Sequence, residues 1–431
     1  MASRFTSALR RPVVLGSLAV VGGTTAYAIT KANSRTHSIP DPVAPVRRDA
    51  TGRIIPPTFS SVKSRAENLA DLRRGAEEEF DLLIIGGGAT GTGIAVDAVT
   101  RGLKVALVER EDFSSGTSSK STKLVHGGVR YLEKAVLNLD YPQLELVIEA
   151  LRERRTFLNV APHLSNSLPI LLPLQRWWEA PYMWCGTKAY DLLAGSQGLE
   201  GSYFLPKGKA LASFPLLRKE NLVGALVYYD GQHNDSRMNV SLAMTASLLG
   251  ATVLNHAEVT SLEKDPSTGR ITGAAVRDVL ARDGSTEASP FRVRAKGVIN
   301  ATGPFTDAVE HMDDPTRKSI VAPASGAHVM LPGDVCPNGM GMLSASSDGR
   351  VVFVLPWQGK TLAGTTDEAC AVEREPVALQ KDVDFILREV NKLLSPESAL
   401  SRDHVHSAWS GMCPLFNQQP LYKTTRRLTK V

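Results

Sequence analysis

The sequence predicts an α/β protein, and three observations carry that prediction. A short apolar run, FDLLII at 80–85, is followed at once by the turn Gly86-Gly87-Gly88-Ala89-Thr90-Gly91 and a helix-like segment, 92–100. A second expected strand, 104–108, leads into Glu109, about twenty residues past the turn. Far downstream, Gly297-Val298-Ile299-Asn300 closes on Ala301-Thr302-Gly303. Strand, glycine turn, helix, strand and acid, in that order, describe a Rossmann-type dinucleotide-binding unit. Gly86, Gly88 and Gly91 stand where a missing Cβ permits a tight turn, close approach of a pyrophosphate, and packing of helix on strand. Glu109 can accept hydrogen bonds from a ribose diol and would repel a 2′-phosphate, which disfavours NADP.

The chain has 431 residues, 43% hydrophobic and 22% charged, which is ample for two domains. Its net charge is +5, yet residues 1–48 hold seven basic side chains against the single acid Asp41, leaving −1 for the remainder. The positive excess therefore lies in one end segment and not on a folded face, and composition gives no argument for nucleic-acid binding. Cys185, Cys336, Cys370 and Cys413 form no CxxC pair and no zinc spacing. They are expected as buried small hydrophobes, and no metal is expected.

Residues 1–40 contain no Asp or Glu and space Arg4, Arg10 and Arg11 among Ser, Thr and Ala, the composition of a mitochondrial targeting segment. Within it, 12–30 is uncharged and close to the ~20 residues a membrane-spanning helix requires, a candidate inner-membrane anchor. Two other readings stay open: a secretory signal cleaved near Ala26-Tyr27-Ala28, and an apolar run that is only part of a presequence, weakened as a helix by Gly16, Gly22 and Gly23. Residues 41–79 are expected as a linker, proline-rich through 57, with folded structure from Phe80.

The run SSKSTKLVHGGVRYLEK, 118–134, has the Gly and Ser content of a flexible connector. Its context argues otherwise, because the dinucleotide elements precede it and the Asn-Ala-Thr-Gly strand follows. That later strand resembles the return strand of large FAD-dependent oxidoreductases, which favours FAD over NAD. The series from Asp81 to Gly88 through Thr117-Ser118-Ser119, Ser121, Lys123-Leu124 and the block His126 to Glu133 resembles the FAD-dependent glycerol-3-phosphate dehydrogenases, in particular the mitochondrial enzyme of fungi. Blocks at 159–163, 235–237, 300–303, 325–328, 353–357 and 364–367 resemble that family too, in order from about 80 to 415.

The resemblance implies a glutathione-reductase-like, two-dinucleotide-binding FAD domain from 80–160 and 251–320. An interleaved α+β substrate domain would come from 161–250 and 321–367, with a partial, divergent part at 368–431. It implies oxidation of sn-glycerol 3-phosphate to dihydroxyacetone phosphate by hydride transfer to FAD. Ubiquinone would take the electrons, at the mitochondrial inner membrane and facing the intermembrane space. The cofactor would be held by Gly86, Gly87, Gly88, Thr90, Gly91, Glu109, Thr117, Ser118, Ser121, Lys123, Leu124, His126, Gly127, Ala301, Thr302 and Gly303.

Such chemistry requires a base of near-neutral pKa, for which His126 and His328 are the candidates. It also requires fixed cations for a phosphate dianion: Arg130 first, with Tyr131 beside it, then Lys123 and Arg237. His163, His256 and His311 are expected to be structural, and the 143–159 helix with Arg152, Arg154 and Arg155 a solvated face. Trp177, Trp178 and Trp184 are expected in core or membrane-facing packing. The family pattern implies Ser-Gly-x-Arg-Pro-Leu where this chain has Ser410-Gly411-Met412-Cys413-Pro414-Leu415, so Cys413 stands at the arginine position. After Leu415 the pattern is lost. A truncated, inactive relative and an oxidase using oxygen are therefore carried beside the dehydrogenase.

Overall fold

The computed structural model describes residues 50, 51, 59, 61–282, 285, 288–346 and 350–416, without the side chains of Arg130, Lys134, Val136, Leu137 and Phe416. The targeting segment, the 12–30 run and residues 417–431 lie outside the described residues. Among the described residues, 125–210 with 221–232 form one compact unit and the rest form a second, larger one. The expected domain boundaries fall elsewhere: 129–160 folds together with 161–210, and 233–250 and 321–367 fold within the larger unit.

In the larger unit the linker ends sooner than expected. Helix α1 (Arg65–Arg74) opens on a capping box in which Ser64 and Glu67 satisfy each other's backbone amides. It buries Leu72 completely, and the Arg65 guanidinium donates to Asp278 at 2.5 Å and to the Asn255 carbonyl at 2.7 Å. The Ser-x-x-Glu spacing was legible in the sequence, within a segment read as linker.

A six-stranded sheet follows, from β1 (Phe80–Ile85), β2 (Val105–Val108), β3 (Thr252–Leu254), β4 (Ala257–Lys264), β5 (Ile271–Asp278) and β6 (Phe291–Asn300), ordered β3-β2-β1-β6-β5-β4. The first four are parallel; β5 and β4 complete the sheet antiparallel. β2, and β1 from Leu82 on, are continuous apolar runs because both faces are covered, while Asp81 near the start of β1 pairs with Lys296. Leu83, Ile85, Ala106 and Val108 pack with Leu72, Val276 and Val293 on one side. Ile84, Val105 and Leu107 pack on the other with Ala95 and Ala98 of α2 (Ala89–Thr100) and Ala243 and Ala246 of α3 (Asp235–Leu248). Leu82 lies opposite Gly297 and Ile85 opposite Asn300, so Ala301 donates its amide to the Ile85 carbonyl at 2.9 Å and the downstream strand ends beside the glycine turn.

The second sheet of this unit is antiparallel: β7 (Val321–Leu331), β8 (Gly341–Ala345), β9 (Val351–Trp357), β10 (Lys360–Gly364), β11 (Glu368–Ala369) and β12 (Ser407–Phe416). β12 pairs with β7 from Val321 opposite Phe416 to Met330 opposite Ser407. Helix α4 (Gln380–Leu393) packs Ile386, Leu387, Val390 and Leu393 against this sheet. The β9–β10 hairpin turns on Gln358-Gly359 alone, at φ 48° and 76°, the left-handed pair a two-residue hairpin favours, with Trp357 opposite Lys360.

The smaller unit holds helices Val129–Asn138, Tyr141–Val160 and Glu179–Ala194 and strands Ser165–Leu174, Tyr203–Pro206 and Gly224–His233. The solvated-face expectation fails at Arg154, which is 2% exposed: it shares the buried stripe with Val147, Ile148, Leu151 and Leu158 because a carboxylate, Asp230, awaits it. Trp177, Trp178 and Trp184 are 74%, 49% and 47% exposed, which rules out core packing for them. Among the cysteines, all free, Cys336 is buried and Cys370 half-buried, but Cys185 and Cys413 are exposed and depart from the buried expectation. Among the described residues no helix is long and apolar enough to cross a membrane.

Candidate active site

The glycine turn is shaped by backbone contact. Gly86 has φ +110°, and a Cβ there would lie 2.5 Å from the Ala301 carbonyl oxygen. A Cβ on Gly91 would lie 1.9 Å from the Gly86 oxygen, so α2 runs as close to the turn as a backbone can. Gly88 caps α2 without a side chain, no acid occupies the first helical turn, and Thr90 is exposed there. That arrangement presents helix-terminal amides, with their partial positive charge, to an anion. Ser118 Oγ accepts the Ala89 amide at 2.9 Å. Glu109 accepts the Gly87 and Glu111 amides at 2.6 and 2.8 Å, and a carboxylate so engaged keeps lone pairs for a diol. A side-chain-free turn at a helix start, with an acid at the next strand's end, fits the dinucleotide half of FAD. Asn239, which sequence reasoning missed, braces this turn: its amide donates to the Gly87 carbonyl at 2.9 Å and its oxygen accepts from Thr92 Oγ1 at 2.6 Å. The one available signal was an Asn within the mostly apolar 238–249 segment.

The 117–124 loop closes on a buried ion pair. Lys123 Nζ donates to Asp235 Oδ2 at 2.7 Å and to the Ser119 carbonyl at 2.6 Å, with both side chains under 10% exposed. Ser121 adds its amide and hydroxyl to the same carboxylate oxygen, at 3.2 and 2.8 Å. Thr117 donates to the Met412 carbonyl at 2.6 Å, tying the loop to β12. The Lys123 ammonium also lies 5.9 and 5.7 Å from the rings of Trp357 and Trp409, within cation–π range. Lys123, read from sequence as a phosphate ligand, thus already has a counter-ion. Asp235 supplies it from the first turn of α3, where a negative charge also favours the helix. Trp357 and Trp409 were not nominated from sequence, since nothing local marks a tryptophan as the wall of a lysine site.

His328 lies on the same knot. Its Nε2 is 3.0 Å from Thr122 Oγ1, and its ring stacks on Trp409 with centroids 5.7 Å apart. A Cβ on Gly364 would meet the His328 ring at 2.6 Å, so that glycine makes room for it. Burial, and then the Lys123 ammonium, push the imidazole down from 6.5 to about 4, against the pull of Asp235. His328 is therefore neutral at pH 7 and has a free pair to accept a proton. The folded pKa lies below the unfolded one, so the unfolded chain takes up the proton first as pH falls. Stability from this group is complete above about 6.5 and is lost between about 6.5 and about 4, a change of roughly 3 kcal/mol. Urea midpoints followed across that window should fall in the wild type, with a shallower decline in His328→Gln; parallel declines would disprove it.

The remaining nominated residues are placed as follows. His126 is exposed and Gly127 buried, both in the smaller unit, where Tyr131 is 44% exposed; the Arg130 side chain lies outside the described residues. Arg237 is exposed in the first turn of α3, and Leu124 is half-buried. Thr302 gives its amide and hydroxyl to Asn300 Oδ1 at 3.3 and 2.7 Å, holding the Ala301-Thr302-Gly303 bend with Gly303 at φ +56°. Cys413 sits on β12 opposite Ala324. Partial desolvation and the Asp367 carboxylate raise its thiol pKa, so Cys413 is neutral at pH 7.

A parallel sheet core with a glycine turn, an acid at the end of the second strand, and a return strand ending beside the turn define a dinucleotide-binding α/β fold. The family model described as FAD dependent oxidoreductase matches residues 81–429, extending past Leu415, where the sequence pattern was read as lost. The chain belongs to the FAD-dependent oxidoreductase family. It is 54% identical over 372 residues to the mitochondrial glycerol-3-phosphate dehydrogenase of Mus musculus, covering 85% of this chain and 50% of the relative. To a mitochondrial glycerol-3-phosphate dehydrogenase of Arabidopsis thaliana it is 47% identical, covering 90% and 61%. The chain thus spans about half the length of the animal relatives it matches. The solved glycerol-3-phosphate dehydrogenase of Bacillus halodurans, complexed with FAD, superposes with a TM-score of 0.64 at 31% identity, covering 84% of this chain and 61% of that one.

Proposed function

We propose that this chain is the FAD-binding and substrate-oxidising part of a mitochondrial glycerol-3-phosphate dehydrogenase, converting sn-glycerol 3-phosphate to dihydroxyacetone phosphate. The observation that carries this reading is the neutral His328 on a buried Lys123–Asp235 knot, in a chain 54% identical to a mitochondrial enzyme of that name. FAD, when bound, supplies the hydride acceptor. The turn from Gly86 to Gly91 with Glu109 would hold its dinucleotide half, and Ala301 to Gly303 would close beside it. His328 Nε2 would take the hydroxyl proton, relayed through or displacing Thr122 Oγ1. At a pKa of about 4 it is a weak base alone, and a substrate dianion beside it would raise its basicity. Arg130 is the proposed phosphate cation, with Tyr131 beside it; His126 and Gly127 would border the flavin. Electrons would pass to ubiquinone at the inner membrane, with residues 1–40 as the import signal.

Purified protein should carry flavin absorbance near about 450 nm and reduce a dye when given glycerol 3-phosphate. Hydrogen peroxide in place of dye reduction would turn the reading toward an oxidase, and a colourless, inactive chain would end it. At Cys413 a neutral thiol cannot make the bidentate contact of a guanidinium. Cys413→Arg should therefore raise kcat/KM by roughly 10- to 100-fold, the value of one charged hydrogen bond to phosphate.

A further inference from the structure

The smaller unit buries a carboxylate that the proposed reaction does not use. Asp230, on the strand Gly224–His233, is fully buried, and its Oδ1 collects three donors. Arg154 Nη1 donates at 2.7 Å, Tyr190 Oη at 2.7 Å, and the Gly127 amide at 3.3 Å. Arg154 also donates to the Tyr229 carbonyl at 3.0 Å, and its guanidinium lies 5.5 Å from the centre of the Tyr190 ring. Burial and the Asp230 carboxylate raise the phenols of Tyr190 and Tyr228 well above their ordinary pKa, keeping both neutral.

A buried ion pair seldom stabilises more than apolar packing of the same volume, so its use lies in what an apolar pair cannot do. Here that is to hold a backbone amide of a turn with no regular ladder. The turn is pressed onto the cluster: a Cβ on Gly127 would lie 2.4 Å from both Tyr190 Oη and Leu151 Cδ2, and Gly128, at φ +79°, redirects the chain into the helix Val129–Asn138. A slack turn would let the exposed His126 and the start of that helix wander together.

We propose that Asp230, braced by Arg154 and Tyr190, is a positioning residue that fixes the 126–128 turn and thereby sets where His126 stands for the flavin reaction. The flavin clause rests on the function proposed above; the holding of the turn does not. Two readouts separate them. Hydrogen exchange at the 126–129 amides, measured in purified protein, should speed up about tenfold or more in Asp230→Asn, while amides in β1 keep their rates. In steady-state assays the same variant should lose kcat about tenfold with KM changed less, and its bound flavin should show a shifted absorption band. Unchanged exchange at Gly127 overturns the holding role. Faster exchange with unaltered kcat and flavin band overturns the positioning role and leaves a structural one. A wild type without flavin or turnover refutes the dehydrogenase reading and the flavin clause with it, and exchange still decides the holding role. Should Asp230→Asn fail to fold, Tyr190→Phe removes one donor and keeps the ring, and is expected to speed exchange at Gly127 by a smaller factor.

Discussion

Asp235→Ala should lower the unfolding free energy by about 3–5 kcal/mol. The carboxylate is the counter-ion of a lysine whose side chain is 8% exposed, and it also accepts two bonds from Ser121. Without it, the Lys123 ammonium keeps the Ser119 carbonyl and two indole faces, which do not replace a charge. Replacing both partners tells the pair from its parts. Lys123→Met with Asp235→Leu fills the space with apolar groups, and the double variant should recover most of the loss, because neither charge is then buried alone. Denaturant midpoints of the two single variants and the double give the coupling energy. An Asp235→Ala protein within about 0.5 kcal/mol of wild type would show that the ammonium is solvated and the knot is not a buried pair.

Gly91→Ala should be nearly as damaging, and the contrast with a neighbour makes it informative. At Gly91 a Cβ would lie 1.9 Å from the Gly86 carbonyl oxygen, a backbone atom that cannot rotate away. Either α2 lifts from the turn or the turn deforms, at a cost of roughly 3 kcal/mol. The same shift moves the helix-start amides away from where a pyrophosphate would lie, so flavin retained through gel filtration should fall about tenfold or more. At Gly93, two residues on in the same helix, a Cβ would meet nothing within 4 Å. Gly93→Ala should stabilise by about 0.5–1 kcal/mol through helix propensity alone. Equal thermal shifts for the two alanines would show that the turn imposes no special demand at Gly91.

The dinucleotide half of the molecule was legible because its signals are local. FDLLII becomes a strand over the residues expected, Gly86, Gly88 and Gly91 fall on the turn and helix start, and 297–300 lies along β1 with 301–303 bending beside the turn. Each follows from short-range facts: an apolar run covered on both faces, a backbone without Cβ, a helix end that needs an anion or a cap. Arg65–Arg74 shows how a local signal is missed when composition is weighed over a long stretch, since Ser64 and Glu67 stand at capping-box spacing inside a segment read as linker. Arg154 shows the opposite failure: on a charged helix an arginine reads as solvated until a partner 76 residues away is known.

What the sequence determined by itself is the type of each element in the parallel core and the residues of the glycine turn, since strand, helix and turn preferences act over a few neighbours. Only the tertiary structure decided the use of the charged and polar side chains between 117 and 410. It pairs Lys123 with Asp235, walls them with Trp357 and Trp409, sets His328 on Thr122, and gives Gly127 to Asp230. The physical reason is desolvation. A buried charge or amide is defined by the partner that offsets its loss of water, and that partner comes from wherever the chain returns, at separations that no local pattern records.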